Sequence, residues 1–359
     1  MRKNVLTALA AAVAAACAFV ATQVASGASA GGIQVLAKGL NNPRGVTLGP
    51  DGSIFVAQAG AAGKQCQGSG ENEMCLGFTG SIDRFWTDGR RDRYGAGFLS
   101  GGGRDGSFSV GMDGVAVSPG GTVYGIETSP GDPSKLPPPV QAQAGYVLRV
   151  DAGGKTAVGE NVARYEIENN PARDNIDTDP YGIAWSPLGL AVTDAAGNSL
   201  LLLHPDGTLS CLMTFKAETY NGHAVQRVPT SVVWHDGAFY VGELGGGGSP
   251  KGTSHVWRVV PGGGKTMAAT GFSAINGLAF GPDGSMYVSE LAANGLDAAE
   301  KNNDLGGAVV RVWPDGHRTT ITDPQLIALG GIAVGSDNTI YVAAGSVFAG
   351  KGTLLAISQ

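Results

Sequence analysis

Apolar and polar residues alternate along most of this chain in short runs, and the runs come in pairs joined by tight turns. The stretch NGLAFGPDGSMYVSE at 276–290 shows an apolar run, a Pro-Asp-Gly turn and a second apolar run that ends in a carboxylate. Alternation with a period of two is typical of half-buried β-strands. Gly and Asp also accept the positive φ that short hairpin turns require. Each pair of runs therefore predicts a β-hairpin.

The hairpin recurs along the chain, and a second hairpin follows most of its copies, as in GAVVRVWPDGHRTTI at 307–321. The six copies occupy residues 44–58, 113–127, 181–194, 230–243, 276–290 and 330–344. Four antiparallel strands that recur six times predict an all-β fold, a six-bladed β-propeller, because each unit must bury its faces against its neighbours.

The last repeat lacks its fourth strand, since the chain stops at GTLLAISQ. The segment IQVLAKGL at 33–40 would supply that strand. A ring closed by an N-terminal strand has no exposed strand edge and brings the two chain ends together. The pattern predicts one domain over residues 31–359, because no blade can bury both of its faces alone.

Residues 1–30 have the pattern of an export signal. Arg2 and Lys3 precede an Ala-rich apolar run, and the small-residue site ASA ends at Ala30. A lipoprotein signal at Cys17 is the alternative, although the usual Leu three positions earlier is absent. No later stretch reaches the roughly 18 apolar residues of a membrane span. We therefore expect a secreted, extracellular protein with no transmembrane segment after signal removal.

Composition and charge restrict the class of molecule that this chain could bind. Removing residues 1–30 takes away two cations and no acid, so the formal net charge moves from −6 to −8. An acidic chain without a basic run argues against nucleic-acid binding. The abundance of Gly, 59 residues, with only 15% charged residues agrees with many short strands and turns. We expect a monomer.

Cys66 and Cys75 bracket a polar, Gly-rich loop, CQGSGENEMC. A disulfide is the favoured interpretation in an exported protein, and closing so short a loop contributes about 2–3 kcal/mol. A metal site is the alternative, but no His or further Cys is nearby in the sequence. Cys211 lies in an apolar strand and is interpreted as a core residue.

The long connections all fall on one face of the predicted propeller. They join the second strand of a blade to the third or one blade to the next, whereas the other turns are tight. Insertions that collect on one face usually mark the binding face. The Pro-Asp-Gly turns are then ordinary hairpin chemistry on the opposite face.

The residue that ends the second strand of each repeat is usually an acid on this long-loop face. Around the ring these residues are Gln58, Glu127, Asp194, Glu243, Glu290 and Ala344. Such acceptors can bind backbone N–H groups of the neighbouring loop and fasten the blade. Alternatively, carboxylates and amide oxygens are the ligands that Ca²⁺ prefers.

Residues that open the first strands are expected to point toward the channel mouth on the same face. The candidate ligand-binding residues are Arg44, Asp113, Asp179, Tyr181 and Asn276. The candidate metal ligands are Asp113, Glu127, Asp179, Asp194, Glu243, Asn276 and Glu290. Arg44 could clamp an anionic ligand or pair with the acids. The oxygens of the others could instead cap backbone at strand starts.

Catalytic motifs are scarce. His223, in a predicted loop on the binding face, is the candidate general base, and a solvated surface histidine is the alternative. The sequence contains no Gly-x-Ser-x-Gly elbow, Walker loop, dinucleotide fingerprint or zinc motif.

The repeat NGLAFGPDGSMYVSE resembles the blades of NHL-type propellers and of gluconolactonase and strictosidine-synthase-like propellers. Together with an export signal, LNNPRGVTLGPDGSIFVAQAG and CQGSGENEMCLGFTGSI, it resembles the ScyD/ScyE family of exported propeller proteins. The resemblance covers essentially the whole mature chain. Its most specific feature is the insert with two Cys, which maps onto Cys66 and Cys75. The family has no settled catalytic residues to carry over.

Resemblance to the lactonase-like propellers implies a Ca²⁺ near the axis, held by Glu, Asn and Asp. Asn276 matches the position of the Asn, and Asp179 or Asp113 could supply acids. Thr230 and Gly330 depart from the pattern, and no histidine dyad is evident.

Three functional hypotheses follow. The favoured one is a binding module for a small molecule, glycan or extracellular protein, acting through the long-loop face. The second is a Ca²⁺-dependent hydrolase of lactones or esters with its ion at the central channel mouth. The third is a quinone-dependent sugar dehydrogenase, for which no His and Arg cluster is evident.

Overall fold

A computed structural model of the chain describes residues 32–70, 73–151, 154–220 and 222–359. The predicted export signal, residues 1–30, lies outside the described residues. The chain contains 51% strand and 7% helix, which confirms the all-β class. None of the helices in the described ranges is long and apolar enough to cross a membrane.

The strands are short, as the alternating runs predict. In chain order they are β1 (Ile33–Leu40), β2 (Pro43–Leu48), β3 (Ile54–Gln58), β4 (Gln65–Gln67), β5 (Met74–Phe85), β6 (Arg91–Gly102), β7 (Val110–Val117), β8 (Val123–Glu127), β9 (Val147–Asp151), β10 (Gly154–Val158), β11 (Pro180–Ser186), β12 (Gly189–Asp194), β13 (Ser199–Leu203), β14 (Leu209–Thr214), β15 (Glu218–Tyr220), β16 (His223–Val225), β17 (Pro229–His235), β18 (Ala238–Glu243), β19 (Ser254–Val260), β20 (Gly264–Phe272), β21 (Ile275–Phe280), β22 (Met286–Glu290), β23 (Ala308–Val312), β24 (Arg318–Ile321), β25 (Ile332–Val334), β26 (Ile340–Ala344) and β27 (Gly352–Ile357).

Within the described ranges, four helical segments lie in the connections. They are a 3₁₀-helix (Pro133–Lys135), α1 (Pro138–Gln141), α2 (Val162–Asn169) and α3 (Leu296–Asn302).

Consecutive strands pair antiparallel in groups of four. The groups are β2-β3-β5-β6, β7-β8-β9-β10, β11-β12-β13-β14, β17-β18-β19-β20, β21-β22-β23-β24 and β25-β26-β27-β1. The first two groups are joined where β6 pairs with β7. In addition, β4 pairs with β5, and β15 pairs with β16 in a separate two-stranded sheet. The sequence pattern predicts this four-stranded meander because each hairpin turn is short.

The N-terminal strand completes the last group. β1 pairs antiparallel with β27, and Ile33 lies opposite Ile357. The two ends of the described chain therefore lie side by side. β25, the first strand of this group, contacts β2, the first strand of the first group. These contacts connect the last repeat to the first.

A small residue in each first strand lets neighbouring groups approach at the backbone. A Cβ on Gly45 would lie 2.9 Å from Val115 N, and one on Gly182 would lie 2.6 Å from Thr230 O. A Cβ on Gly331 would lie 2.6 Å from Val46 N, which carries the same contact from the last group to the first. No real Cβ is tolerated that close to backbone, so the Gly of the repeated motif is a packing requirement.

Apolar side chains fill the spaces between neighbouring groups. Ile126 and Val147 of the second group pack in one cluster with Val192 and Leu201 of the third, and all four are fully buried. Burying each of these side chains contributes about 1.5–3 kcal/mol. The alternation in the sequence puts such residues on both faces of every group, so no group is stable without neighbours.

The long connections lie where the sequence predicts them, between second and third strands or between groups. The connection from β8 to β9 contains α1, the one from β10 to β11 contains α2, and the one from β22 to β23 contains α3. The Cys66–Cys75 disulfide is confirmed. It joins directly opposite residues of β4 and β5, with Cα atoms 3.9 Å apart.

We expect Gly182→Ala to lower the free energy of unfolding by about 1–3 kcal/mol or more, because the new Cβ meets the backbone of β17 and overpacks the contact. Gly120→Ala is the matched control, since its Cβ would find only Ser118 Oγ, at 3.8 Å. Denaturant unfolding of both variants measures the difference. Equal stability of the two variants would contradict the packing requirement.

Candidate functional site

Four of the predicted ligand-binding residues meet in one cluster at the starts of the first strands. Arg44 Nε lies 3.4 Å from Asp113 Oδ1. The Arg44 guanidinium also donates to Ser109 O (2.8 Å) and to Tyr181 Oη (3.4 Å). The Tyr181 hydroxyl donates to Asn276 Oδ1 over 2.9 Å. We call Arg44, Asp113, Tyr181 and Asn276 the inner polar cluster.

Three of the four members of this cluster are closed to solvent, and Tyr181 is half-buried. Arg44, Asp113 and Asn276 are 2%, 1% and 4% exposed. Burial raises the pKa of Asp113 to about 8, and the Arg44 charge opposes that rise. Burial would lower the pKa of Arg44, but Tyr181 and Asp113 raise it above its usual value. The arginine is therefore held charged by internal partners, and its carboxylate partner is Asp113 rather than one of the acids that end second strands.

Asp179, the fifth predicted ligand-binding residue, lies beside the cluster. The hydroxyl of Thr128 donates to its Oδ1 over 2.5 Å. Burial raises the pKa of Asp179 to about 6, while the Thr128 hydrogen bond and the Arg44 charge lower it. The positive charge of Arg44 therefore acts on two carboxyl groups, those of Asp113 and Asp179.

An apolar cluster built from the long connections lies on the loop side. We call it the loop-face cluster, and it consists of Ala195, Val228, Leu244, Ala274, Leu291, Ala292, Leu296, Ala299, Leu305, Ala328 and Val347, with Phe108, Tyr181 and Phe348 packed against it. Because Tyr181 contacts both clusters, the loop-face cluster covers the inner polar cluster from this side. A ligand approaching the axis from the long loops would have to displace it.

A cavity of about 410 Å³ opens at the other end of the first strands, among the tight turns. Its walls come from β2, β7, β11, β17, β21 and β25. Val46, Val115 and Val232 lie deep in the cavity, and the aromatic rings of Trp185, Trp234 and Phe280 lie nearer the turns. No charged side chain is among the described residues that line it. We call it the axial cavity.

The acids that end second strands mostly cap backbone. Asp194 accepts the N–H groups of Asp179 (2.8 Å) and Gly197 (2.9 Å). Glu290 accepts the N–H of Ser273 over 2.8 Å. Gln58, the amide at the equivalent position, accepts the N–H of Asn41 over 2.7 Å. These bonds fasten the residues that lead into or follow the strands, which is the structural role weighed in the sequence analysis.

Glu243 belongs to a second buried ion pair that the sequence analysis did not anticipate. Arg227 Nη1 lies 3.3 Å from Glu243 Oε2, and Trp257 Nε1 donates to Oε1 over 2.5 Å. His255 adds its backbone N–H to the same carboxylate. Arg227 is 28 residues from His255 and lies in the connection before β17, whereas His255 lies in β19, so no local pattern marks the set.

Glu127 is the exception among these acids. It is fully buried, and neither carboxylate oxygen has a hydrogen-bond partner of normal geometry among the described residues. Burial raises its pKa well above the usual value, Asp113 adds to the rise, and Lys155 opposes it. Burial at this position therefore favours the neutral form of Glu127.

The predicted Ca²⁺ ligands do not fit an ion at the channel mouth. Six of the seven accept hydrogen bonds or an ion pair from protein groups, and the guanidinium of Arg44 stands between Asp113 and its neighbours. In the described ranges, three His, Cys, Asp or Glu donors converge only at Cys66, Glu73 and Cys75, where both sulfurs are in the disulfide.

His223 begins β16, opposite Tyr220 in the two-stranded sheet. Its side chain lies outside the described part of the structure, so its role as a general base stays a prediction.

No known family model and no curated protein matches this sequence. Solved structures, in contrast, are similar to this chain. A putative gluconolactonase aligns with a TM-score of 0.54 and 13% identity over 92% of this chain and 93% of that chain. The PQQ-bound aldose sugar dehydrogenase of Streptomyces coelicolor aligns with a TM-score of 0.55 and 16% identity over 91% and 98%. A putative glucose dehydrogenase of Thermus thermophilus aligns with a TM-score of 0.53 and 20% identity over 90% of this chain and 99% of that chain. At these identities the similarity shows the β-propeller fold alone.

The buried acids predict how stability depends on pH. Burial raises the pKa values of Asp194 and Glu290 to about 7. At pH values between the pKa of these groups in the unfolded chain and this raised pKa, the folded state holds more protons than the unfolded state, so stability falls as pH rises. We expect a lower melting temperature at about pH 8 than at about pH 5.

Glu290→Gln keeps an acceptor for Ser273 and removes one titrating group, so its pH dependence should be shallower than that of the wild type. Thermal unfolding across this range, with chelator present throughout, is the measurement. A melting temperature that rises with pH would overturn the assignment of neutral buried acids.

Proposed function

We propose that this chain is an exported six-bladed β-propeller of the ScyD/ScyE type, closed by its N-terminal strand, and that it binds a small molecule. The pairing of β1 with β27 and the contact of β25 with β2 support ring closure. The Cys66–Cys75 disulfide supports an oxidising, extracytoplasmic location and matches the two-Cys insert of that family. In this proposal the protein acts by binding rather than by catalysis.

The axial cavity is the observation that carries the proposal. Its volume of about 410 Å³ lies in the range of small-molecule sites. The deep wall is apolar, and Trp185 and Trp234 supply broad rings nearer the opening. The groups that offer hydrogen bonds are backbone groups of the first strands, a few hydroxyls and the indole N–H groups of Trp185 and Trp234. The ligand that fits is therefore a small, uncharged and largely apolar molecule, bound at the tight-turn face instead of the long-loop face.

Phe280 is held in place as part of the rim. The His235 ring stacks on it with centroids 3.8 Å apart and planes 5° apart, and Tyr240 meets its edge. A rim fixed by packing loses little side-chain entropy when a ligand binds. This makes the tight-turn end of the channel a preformed site.

The hydrolase and dehydrogenase hypotheses have less support. A Ca²⁺-activated water needs open coordination positions, and the acids predicted to supply the ligands are engaged with protein donors. A general base needs access to substrate, yet the inner polar cluster is covered by the loop-face cluster.

Filling the cavity tests the proposal. We expect Val232→Phe to weaken binding of the uncharged dye N-phenyl-1-naphthylamine about tenfold or more, because the new ring occupies the space in which the dye would lie. Thr320→Phe adds the same ring on the exposed outer strand β24 and serves as the control. Dye fluorescence, excited directly and through tryptophan, reports binding.

Melting temperatures of the two variants verify that both remain folded. Equal dye affinity in wild type and Val232→Phe would contradict binding in the axial cavity.

A second candidate function is glycan binding at the long-loop face. Two aromatic residues there, Phe78 and Tyr220, are 43% and 42% exposed. Exposed aromatic rings can stack on the apolar faces of sugars while the Tyr hydroxyl stays hydrated.

We expect the double variant Phe78→Ala/Tyr220→Ala to lose any glycan that the wild type retains on a glycan array, whereas Val232→Phe should keep it. Loss of the same glycan in Val232→Phe would instead assign it to the axial cavity.

A further inference from the structure

Glu166 and Asp194 face each other outside the channel, between α2 and the end of β12. A Cβ on Gly197 would lie 2.9 Å from Glu166 Oε2 and 3.0 Å from Asp194 Oδ2. The two carboxylates thus converge on one point, and only a glycine at position 197 leaves room for both.

Helix α2 holds Glu166 in this position. The residues of α2 that are buried are Val162, Ala163 and Glu166, which lie on one face at i, i+1 and i+4. Asn161 caps the first turn by accepting from Arg164 N, and Asn170 ends the helix in the left-handed conformation. The helix therefore fixes a carboxylate on its apolar side, where a charge is costly without a partner.

Glu166 has no protein donor. It is 0% exposed, and neither of its oxygens has a hydrogen-bond partner among the residues described. The charges that act on it are the carboxylates of Asp194, Asp174 and Asp177. A buried carboxylate that has no hydrogen-bond partner and lies among other carboxylates points to a cation that would balance their negative charge.

The segment that leads into β11, DNIDTD at 174–179, brings further oxygens to this place. Asp174 is fixed to the neighbouring connection by Asn198, whose Nδ2 donates to Asp174 Oδ2 over 3.1 Å. Asn198 also donates to Gln226 Oε1 over 3.0 Å. Asp174 is exposed, so its carboxylate can close on an ion without disturbing the core.

We propose that Glu166 and Asp194, which already face each other, bind a Ca²⁺ ion, and that the exposed Asp174 moves toward the ion as a third ligand. Hard divalent cations take carboxylate oxygens, and Ca²⁺ accepts irregular geometry and bidentate carboxylates. The ion would bind the unpartnered oxygens of Glu166 and the side of Asp194 that Thr178 and the backbone N–H groups leave open. It would tie α2, the 174–179 segment and the end of β12 together. The site is separate from the inner polar cluster and does not depend on small-molecule binding.

Calcium binding to the purified mature protein tests the proposal. After chelation, equilibrium dialysis with radioactive Ca²⁺ should give one ion per chain, and millimolar Ca²⁺ should raise the melting temperature. Glu166→Gln should weaken Ca²⁺ binding about tenfold or more. Glu168→Gln removes a carboxylate from the same helix, where Glu168 is exposed and pairs with Arg164, and should bind as the wild type does.

A second readout separates ligation from a merely structural role. In chelator, Glu166→Gln should melt at or above the wild type, because the amide buries no charge, whereas with Ca²⁺ the order should reverse. Asp174→Asn, in an exposed segment, should also weaken binding and keeps the test valid if Glu166→Gln fails to fold. Absence of Ca²⁺ binding by the wild type, or wild-type affinity in both Glu166→Gln and Asp174→Asn, would overturn the proposal.

Discussion

The close approach of neighbouring first strands at their backbones is the contact on which the rest of this molecule depends. Gly45, Gly182 and Gly331 each leave a gap that a Cβ could not enter, and the facing strand fills it. First strands so near one another surround a narrow channel, and their apolar side chains pack between neighbouring groups. The width of that channel then determines which residues meet, which are buried and where space is left.

The channel is divided into layers because of this geometry. Toward the long loops, Arg44 and Asp113 neutralise each other under the loop-face cluster. Toward the tight turns, valines and aromatic rings leave the axial cavity open. A charged pair withdrawn from water is a weak source of stability, and its value here is to fix the ends of the first strands relative to one another. The open end is the part of the channel that remains free for a ligand.

The acids of the long-loop face follow one rule with two exceptions. Asp194, Glu243 and Glu290 give their oxygens to backbone N–H groups, and this holds the connections against the strands. Glu127 and Glu166 are buried, and their oxygens have no hydrogen-bond partner of normal geometry among the described residues. Burial and the nearby Asp113 raise the pKa of Glu127, while Glu166 faces Asp194 and is acted on by the exposed Asp174. Acidic side chains therefore have three different roles on this face, and the role of each depends on the groups that it faces.

The sequence by itself determined the all-β class, the four-stranded meander, the places of the long connections and the Cys66–Cys75 disulfide, because alternation, turn residues and Cys spacing are local signals. The sequence also predicted that Arg44, Asp113, Tyr181 and Asn276 lie together at the starts of the first strands, since the repeats align equivalent positions. Only the tertiary structure decided that Arg44, Asp113 and Asn276 are buried, that the cavity opens at the tight-turn end, and that Arg227 pairs with Glu243 and Glu166 faces Asp194. Those outcomes depend on distances between segments far apart in the chain, and no local pattern carries that information.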